Sequence, residues 1–267
     1  MSNPIPPHSP RRPVAYLNQE FLNSPDARVI RIMSEYLEPF AHFRREKIRD
    51  TVVFFGSARL REDGPMAKYY DDARTLARML TEWSVQFTNS TYRFVVCSGG
   101  GPGIMEAANR GACDANGKTV GLNIGLPFEQ FPNPYITPEL SFEFDYFFMR
   151  KFWFAYLAKA MVVFPGGFGT LDEMMELLTL SQTKKLAKKI SIMLYGSEYW
   201  KEIINFDALV KYEMIAPEDL NLFQYADDPQ TAFEILTTNL KSHALLPETP
   251  ETPSISKSIN PQKPEGA

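Results

Sequence analysis

The chain has 267 residues, 44% of them hydrophobic, and a formal net charge of -4. That is enough apolar material for one large core, and the acidic balance excludes bulk nucleic-acid binding through phosphate neutralisation. Two cysteines exclude a disulfide framework and fit a reducing compartment, and no apolar run reaches the roughly 18 residues of a membrane span or resembles a signal-peptide core, so a soluble cytoplasmic protein with no membrane or nucleic-acid partner is expected.

Residues 1–14 are rich in proline, and 246–267 in Pro, Glu, Ser and Lys. Both read as disordered tails. Residues 15–50 read as a helical extension. There Ser24-Pro25-Asp26 offers an N-cap and a proline at the first helical position, and Val29, Met33, Tyr36, Leu37 and Phe40 follow at helical spacing. From 51 to 245, strands and helices alternate. Strands are predicted at 51–57, 94–101, 119–124, 140–144 and 160–164, and a last one at 190–194. Helices are predicted at 65–83, 103–115, 147–159 and 170–183, near 199–212, and at 229–242. Nearly continuous apolar strands in this order imply an α/β fold, a Rossmann-like, mostly parallel sheet with helices on both faces. Ligands of such sheets bind at the carboxyl ends of strands. Three strands end in glycine-bearing loops, at Gly56, at 99–103 and at 166–169, so these loops are expected along one rim.

The segment GGGPGIMEAANRGA begins at Gly99. Consecutive glycines let a backbone turn sharply and approach a ligand, and the helix that follows aims free N–H groups at the same place. It is not the dinucleotide fingerprint, because Glu106 stands where a third glycine is needed, and it lacks the Lys-Ser/Thr ending of a P-loop. PGGFGTLDE, from Pro165, repeats the device on another strand. Thr170 can cap that helix or hold a phosphate oxygen. Glu173, three residues on, is either the partner in a capping box or a carboxylate facing the cradle from the first turn. Phe147-Phe148-Met149-Arg150-Lys151 opens a helix with two cations, of which one can reach a ligand while the other pairs elsewhere. Gly56-Ser57-Ala58-Arg59 adds a backbone turn, a hydroxyl and a cation on the same rim.

Together these segments resemble the Lonely Guy (LOG) family of nucleotide phosphoribohydrolases, long labelled "lysine decarboxylase-like". The resemblance spans about residues 51–242. It implies a dimer or higher oligomer that hydrolyses adenine-type nucleoside 5′-monophosphates to free base and ribose 5-phosphate. By position, Arg150 matches the family's active-site arginine and Glu173 its glutamate. Gly99, Gly100, Gly101, Met105, Gly166, Gly167, Gly169 and Thr170 match its nucleotide cradle. Gly56, Ser57, Glu106 and Lys151 complete the candidate substrate-binding set. Plant-type members carry a Met-His pair before the arginine, where this chain has Phe147 and Phe148, and the longer N-terminal part is like the extended bacterial branch. Both features argue against a cytokinin-only substrate and leave two candidates, AMP itself and a cytokinin riboside 5′-monophosphate.

The chemistry follows from the residue types. Cleaving an N-glycosidic bond builds positive charge on the ribose. A carboxylate such as Glu173 stabilises that charge and orients water. Arg150 stays protonated, so it binds phosphate or stabilises charge rather than donating a proton. No cofactor or metal is expected. No lysine sits in a pyridoxal-phosphate motif, and the three histidines, His8, His42 and His243, lie outside the stretch from the first strand to the last helix. Cys97 reads as a buried small hydrophobe rather than a nucleophile. The helix carrying Phe152, Trp153, Phe154, Tyr156 and Leu157 is apolar on most sides, which asks for a partner subunit over the side the sheet leaves bare. The rival reading is a non-catalytic nucleotide-binding sensor or carrier, which keeps both glycine loops but needs neither Arg150 nor Glu173.

Overall fold

The computed structural model of the protein describes residues 12–88, 90–126, 131–186 and 188–243. Most of the two expected tails, with His8, lies outside the described residues. Seven strands form one sheet in the order β4-β3-β2-β1-β5-β6-β7. They are β1 (Thr51–Phe55), β2 (Val95–Ser98), β3 (Thr119–Ile124), β4 (Ser141–Phe144), β5 (Ala158–Val163), β6 (Ser191–Tyr195) and β7 (Phe223–Ala226). Every pairing is parallel.

Alternation along the strands explains their uninterrupted apolar sequence. Val52 and Phe54 of β1 pack into one core with Val96, Val162 and Met193, while Val53 and Phe55 enter the other with Cys97, Met161 and Leu194. Each side of the pleat therefore needs an apolar residue, because helices cover both faces. One face carries α3 (Ala67–Ser84), α4 (Ile104–Asp114) and α9 (Pro229–His243). The other carries α2 (Arg28–Arg45), α5 (Phe147–Leu157), α6 (Phe168–Gln182), α7 (Ser197–Ile203) and α8 (Phe206–Lys211). A short α1 (Gln19–Leu22) precedes them. Among the described residues, no helix is long and apolar enough to cross a membrane.

The structure corrects several expected boundaries. The sheet does not end at β6. β7 adds an edge strand that four residues, only two of them buried, left without a clear period. The helix expected to reach Lys159 stops at Leu157, because Ala158 is already extended (φ -61°, ψ 133°) and opens β5. The single helix expected near 199–212 is two. Ile204 leaves the helical region, and the Asn205 side chain then accepts from Ala208 N–H at 2.9 Å to start α8.

A fourth correction concerns α2. Its Tyr36, Phe40 and Phe43 face α5, where Tyr36 stacks on Trp153 at 5.6 Å between ring centroids. Glu35 reaches further. Its Oε1 accepts from Asp145 N–H (2.8 Å) and its Oε2 from Tyr146 N–H (3.3 Å), while its carbonyl accepts from Trp153 Nε1–H (2.9 Å). The side of α5 that the sheet leaves bare is thus covered by the chain's own N-terminal helix. By contrast Val29, Met33 and Leu37, expected on the packed face, are more than half exposed.

Candidate active site

The strand order reverses direction between β1 and β5, the topological switch point where open α/β sheets bind ligands. There the loops after β1 and β5 are tied together, with Ser57 N–H donating to Pro165 O at 2.9 Å. A cavity of about 900 Å³ opens over these strand ends. It is lined by Gly56 and Ser57 after β1, Gly99 and Met105 after β2, Arg150 of α5, and Gly166, Gly167, Gly169, Thr170 and Glu173 after β5. The three glycine loops therefore share one rim, as the sequence implied.

Gly100, Gly101, Glu106 and Lys151 do not line this cavity. Gly100 and Gly101 belong instead to a buried polar network that shapes the loop. Asn133 donates to Gly100 O (3.0 Å), Gly101 O (3.1 Å) and Asn109 Oδ1 (2.9 Å). Ser98 Oγ donates to Asn109 Oδ1 at 2.6 Å, and Asn109 in turn reaches Thr119. Gly103 caps α4 at φ +70°, and an added Cβ there would meet Ser57 O at 2.3 Å, so only glycine closes this turn. Glu106 accepts from Tyr70 Oη–H (3.0 Å). Lys151 Nζ bridges Asp172 (2.8 Å) and Glu176 (3.1 Å) on α6. It is the cation that pairs elsewhere.

The two helix starts differ. Ile104 N–H of α4 is already taken by Ser57 O at 3.2 Å. At α6 the N-cap is Gly167 with no side-chain cap, and the N–H groups of Phe168, Gly169 and Thr170 meet no acceptor among the described residues. By the same measure Met105 and Glu106 of α4 also keep open N–H groups, so α6, with three against two, is the more open of two helix starts of the kind that receives anions. Thr170 does not cap the helix. It sits at the third helical position, its hydroxyl so close to Gly166 that an added Cβ there would lie 2.2 Å from Oγ1.

Glu173 is therefore not half of a capping box either. It lies in the second turn of α6 rather than the first, 5% exposed, and its Oε1 has no hydrogen-bond partner. Arg150 Nη2 stands 3.6 Å from that oxygen. Burial pushes the Glu173 carboxyl from 4.5 up to about 7, and the nearby charges of Arg150 and Lys151 pull it back only in part. Arg150 is half-buried beside it. Its guanidinium lies 5.2 Å from the Phe147 ring centroid and 5.6 Å from that of Phe154, and burial lowers its affinity for the proton. Cys97 is 2% exposed and its thiol is pushed well above the usual range by burial, which suits a packed side chain and not a nucleophile.

Sequence reasoning missed part of the lining. Arg61, Met66, Phe168, Tyr199 and Ile203 all border the cavity. Tyr199 Oη–H donates to Gly166 O at 2.8 Å and holds the glycine loop from α7. Phe168 was legible in principle. It is a bulky apolar residue between two glycines with no helical partner, and it is 93% exposed at the cavity mouth.

An all-parallel α/β sheet with glycine loops, an uncapped helix start and a half-buried arginine beside a buried carboxylate at its switch point defines a Rossmann-like protein with a cleft over its strand ends. Residues 105–236 match the family model described as "Possible lysine decarboxylase", and over this stretch the chain is similar to the LOG family. The probable cytokinin riboside 5′-monophosphate phosphoribohydrolase LOGL3 of Oryza sativa subsp. japonica is 23% identical over 207 residues, covering 75% of this chain and 89% of its own length. The cytokinin riboside 5′-monophosphate phosphoribohydrolase LOG of the same plant is 27% identical over 178 residues, covering 66% of this chain and 67% of its own. Among solved structures, the Moco carrier protein from Chlamydomonas reinhardtii shares the fold, with a TM-score of 0.50 and 18% identity over 73% of this chain and 99% of its own.

Proposed function

We propose that the protein hydrolyses the N-glycosidic bond of purine nucleoside 5′-monophosphates, AMP foremost, releasing free base and ribose 5-phosphate. The observation that carries this reading is Glu173, a buried carboxylate with an unpartnered oxygen in the cavity wall and Arg150 beside it. A carrier needs no such group, because a buried carboxylate with an unsatisfied oxygen costs stability without helping to hold an anion. In a glycosidase it stabilises the positive charge that forms on the ribose. The 5′-phosphate goes to the open start of α6, at Phe168, Gly169 and Thr170. Arg150 balances the phosphate and favours the ionised form of Glu173 against its burial. Relatives named as phosphoribohydrolases of cytokinin riboside 5′-monophosphates support the reaction class.

The test is incubation with AMP, with assay for free adenine and ribose 5-phosphate. AMP is expected to be cleaved and adenosine barely touched. Equal rates on the two would remove the phosphate from the reading. Binding of AMP with no base release would leave the carrier. We also propose that the chain self-associates in the cytoplasm, through the exposed apolar stripe of α2 rather than through α5.

A further inference from the structure

We infer that Arg59 and Arg61, on the loop after β1, form a second phosphoryl-binding subsite in the same cavity. Three arginines line it, Arg59, Arg61 and Arg150. Arg150 has Glu173 at 3.6 Å. Arg59 and Arg61 have no carboxylate within ion-pair distance among the described residues. The nearest candidate in sequence, Glu62, is already engaged by Arg110 at 2.9 Å and Arg74 at 3.9 Å. Asp63 does not line the cavity. Two uncompensated cations in a concave wall raise the local concentration of anions, and arginine forks match phosphate oxygens.

The cavity's size supports a second occupant. Its volume of about 900 Å³ lies near the upper end for small-molecule sites. The open start of α6 already provides for one phosphate, on a different loop from the two arginines. The ligand class is thus a compound presenting a second phosphoryl group near the first. It is either one attached to the nucleotide, as in a nucleoside diphosphate, or free phosphate bound beside a monophosphate. The nucleotide part of this inference rests on the proposed function, whereas the anion part does not.

The test is calorimetric titration with inorganic pyrophosphate, AMP, ADP, and AMP with added phosphate. The proteins are the wild type, the Arg59→Ala/Arg61→Ala variant, and Arg78→Ala, which removes the same kind of charge from the exposed face of α3. Pyrophosphate binding is expected to weaken by about ten-fold or more in the double variant, the scale of one charge-assisted hydrogen bond. It is expected to stay within about two-fold in Arg78→Ala, the size of a small surface effect. ADP is expected to bind tighter than AMP, and that advantage to vanish in the double variant. If added phosphate tightens AMP binding in an arginine-dependent way, the second group is free phosphate. Equal loss of AMP and ADP affinity would assign the arginines to a single phosphate site and overturn the inference, as would pyrophosphate binding indifferent to both arginines. Arginine-dependent pyrophosphate binding in a protein that does not cleave AMP would keep the subsite and sink the activity.

Discussion

Arg150 of α5 and Glu173 of α6 meet at 3.6 Å in the wall of the cavity, and Glu173 Oε1 has no hydrogen bond there. The pair is close enough for attraction and too far for a firm hydrogen bond. Each group is therefore left with capacity for a third party. Glu173→Gln keeps the shape and removes the charge. Its kcat on AMP is expected to fall by about 10² or more, on the order of 3 kcal/mol of lost transition-state stabilisation. AMP affinity is expected to hold or rise. Turnover near that of the wild type would put the active site on the wrong residue.

The same substitution has a signature in stability. The folded-state pKa of Glu173 is raised from 4.5 to about 7 by burial. Between those values the native state holds the proton more tightly than the unfolded chain, so this group's contribution to stability falls as pH rises from 4.5 through 7. Glu173→Gln removes that penalty. Its melting temperature is expected to exceed the wild type's at pH 8 and to approach it at pH 5. A variant less stable than wild type at pH 8 would show that Arg150 depends on its partner more than Glu173 suffers from burial.

Catalysis is expected to have the opposite pH dependence. The carboxylate must be ionised to stabilise a cation, so kcat/KM on AMP is expected to rise with pH and reach half its plateau near pH 7. The substrate's own phosphate ionises near pH 6. The residual activity of Glu173→Gln separates the two, since it keeps only the substrate's limb. A wild-type profile flat from pH 6 to 8 would deny Glu173 the role.

Self-association is expected to run through α2. Val29, Met33 and Leu37 recur every fourth residue and are 66%, 54% and 52% exposed. Such a stripe has no partner among the described residues. Light scattering at micromolar concentration is expected to give at least a dimer mass, and Met33→Glu with Leu37→Glu to shift it toward monomer while sparing Tm. A monomeric wild type would make the stripe idle.

The fold was legible where burial writes a simple pattern. Val52 to Phe55 and Met161 to Val163 are apolar throughout because both faces are covered. The cavity was legible wherever a glycine loop ends a strand. What escaped was whatever tertiary contacts decide. Glu173 and Thr170 fit a capping box by spacing alone, yet α6 begins two residues earlier, at Phe168, and leaves both with other tasks. Glycine type does not tell a cradle from a packed turn, so Gly100 and Gly101 read like Gly99 until Asn133 is seen holding them. The α2 pattern supported two faces, and only packing against Trp153 chose between them.

The last prediction concerns Glu35, which no motif marks. Its carboxylate takes the N–H groups of Asp145 and Tyr146 just where α5 begins, four residues before Arg150. Both donors are left unsatisfied by the helix itself. Burial raises the Glu35 pKa, though these two hydrogen bonds oppose it, so the carboxylate bears a cost to sit there. Glu35→Ala is expected to lower stability by about 1–3 kcal/mol, the cost of stranding a donor that a charged acceptor held. It is also expected to lower kcat, because a frayed start to α5 lets Arg150 drift from Glu173. Glu35→Gln keeps one acceptor and is expected to recover part of both losses. The decisive measurement is kcat on AMP at a temperature where each variant is fully folded. A stability loss with unchanged kcat would confine Glu35 to docking α2, whereas a drop in kcat would show that the N-terminal helix sets the geometry of the arginine.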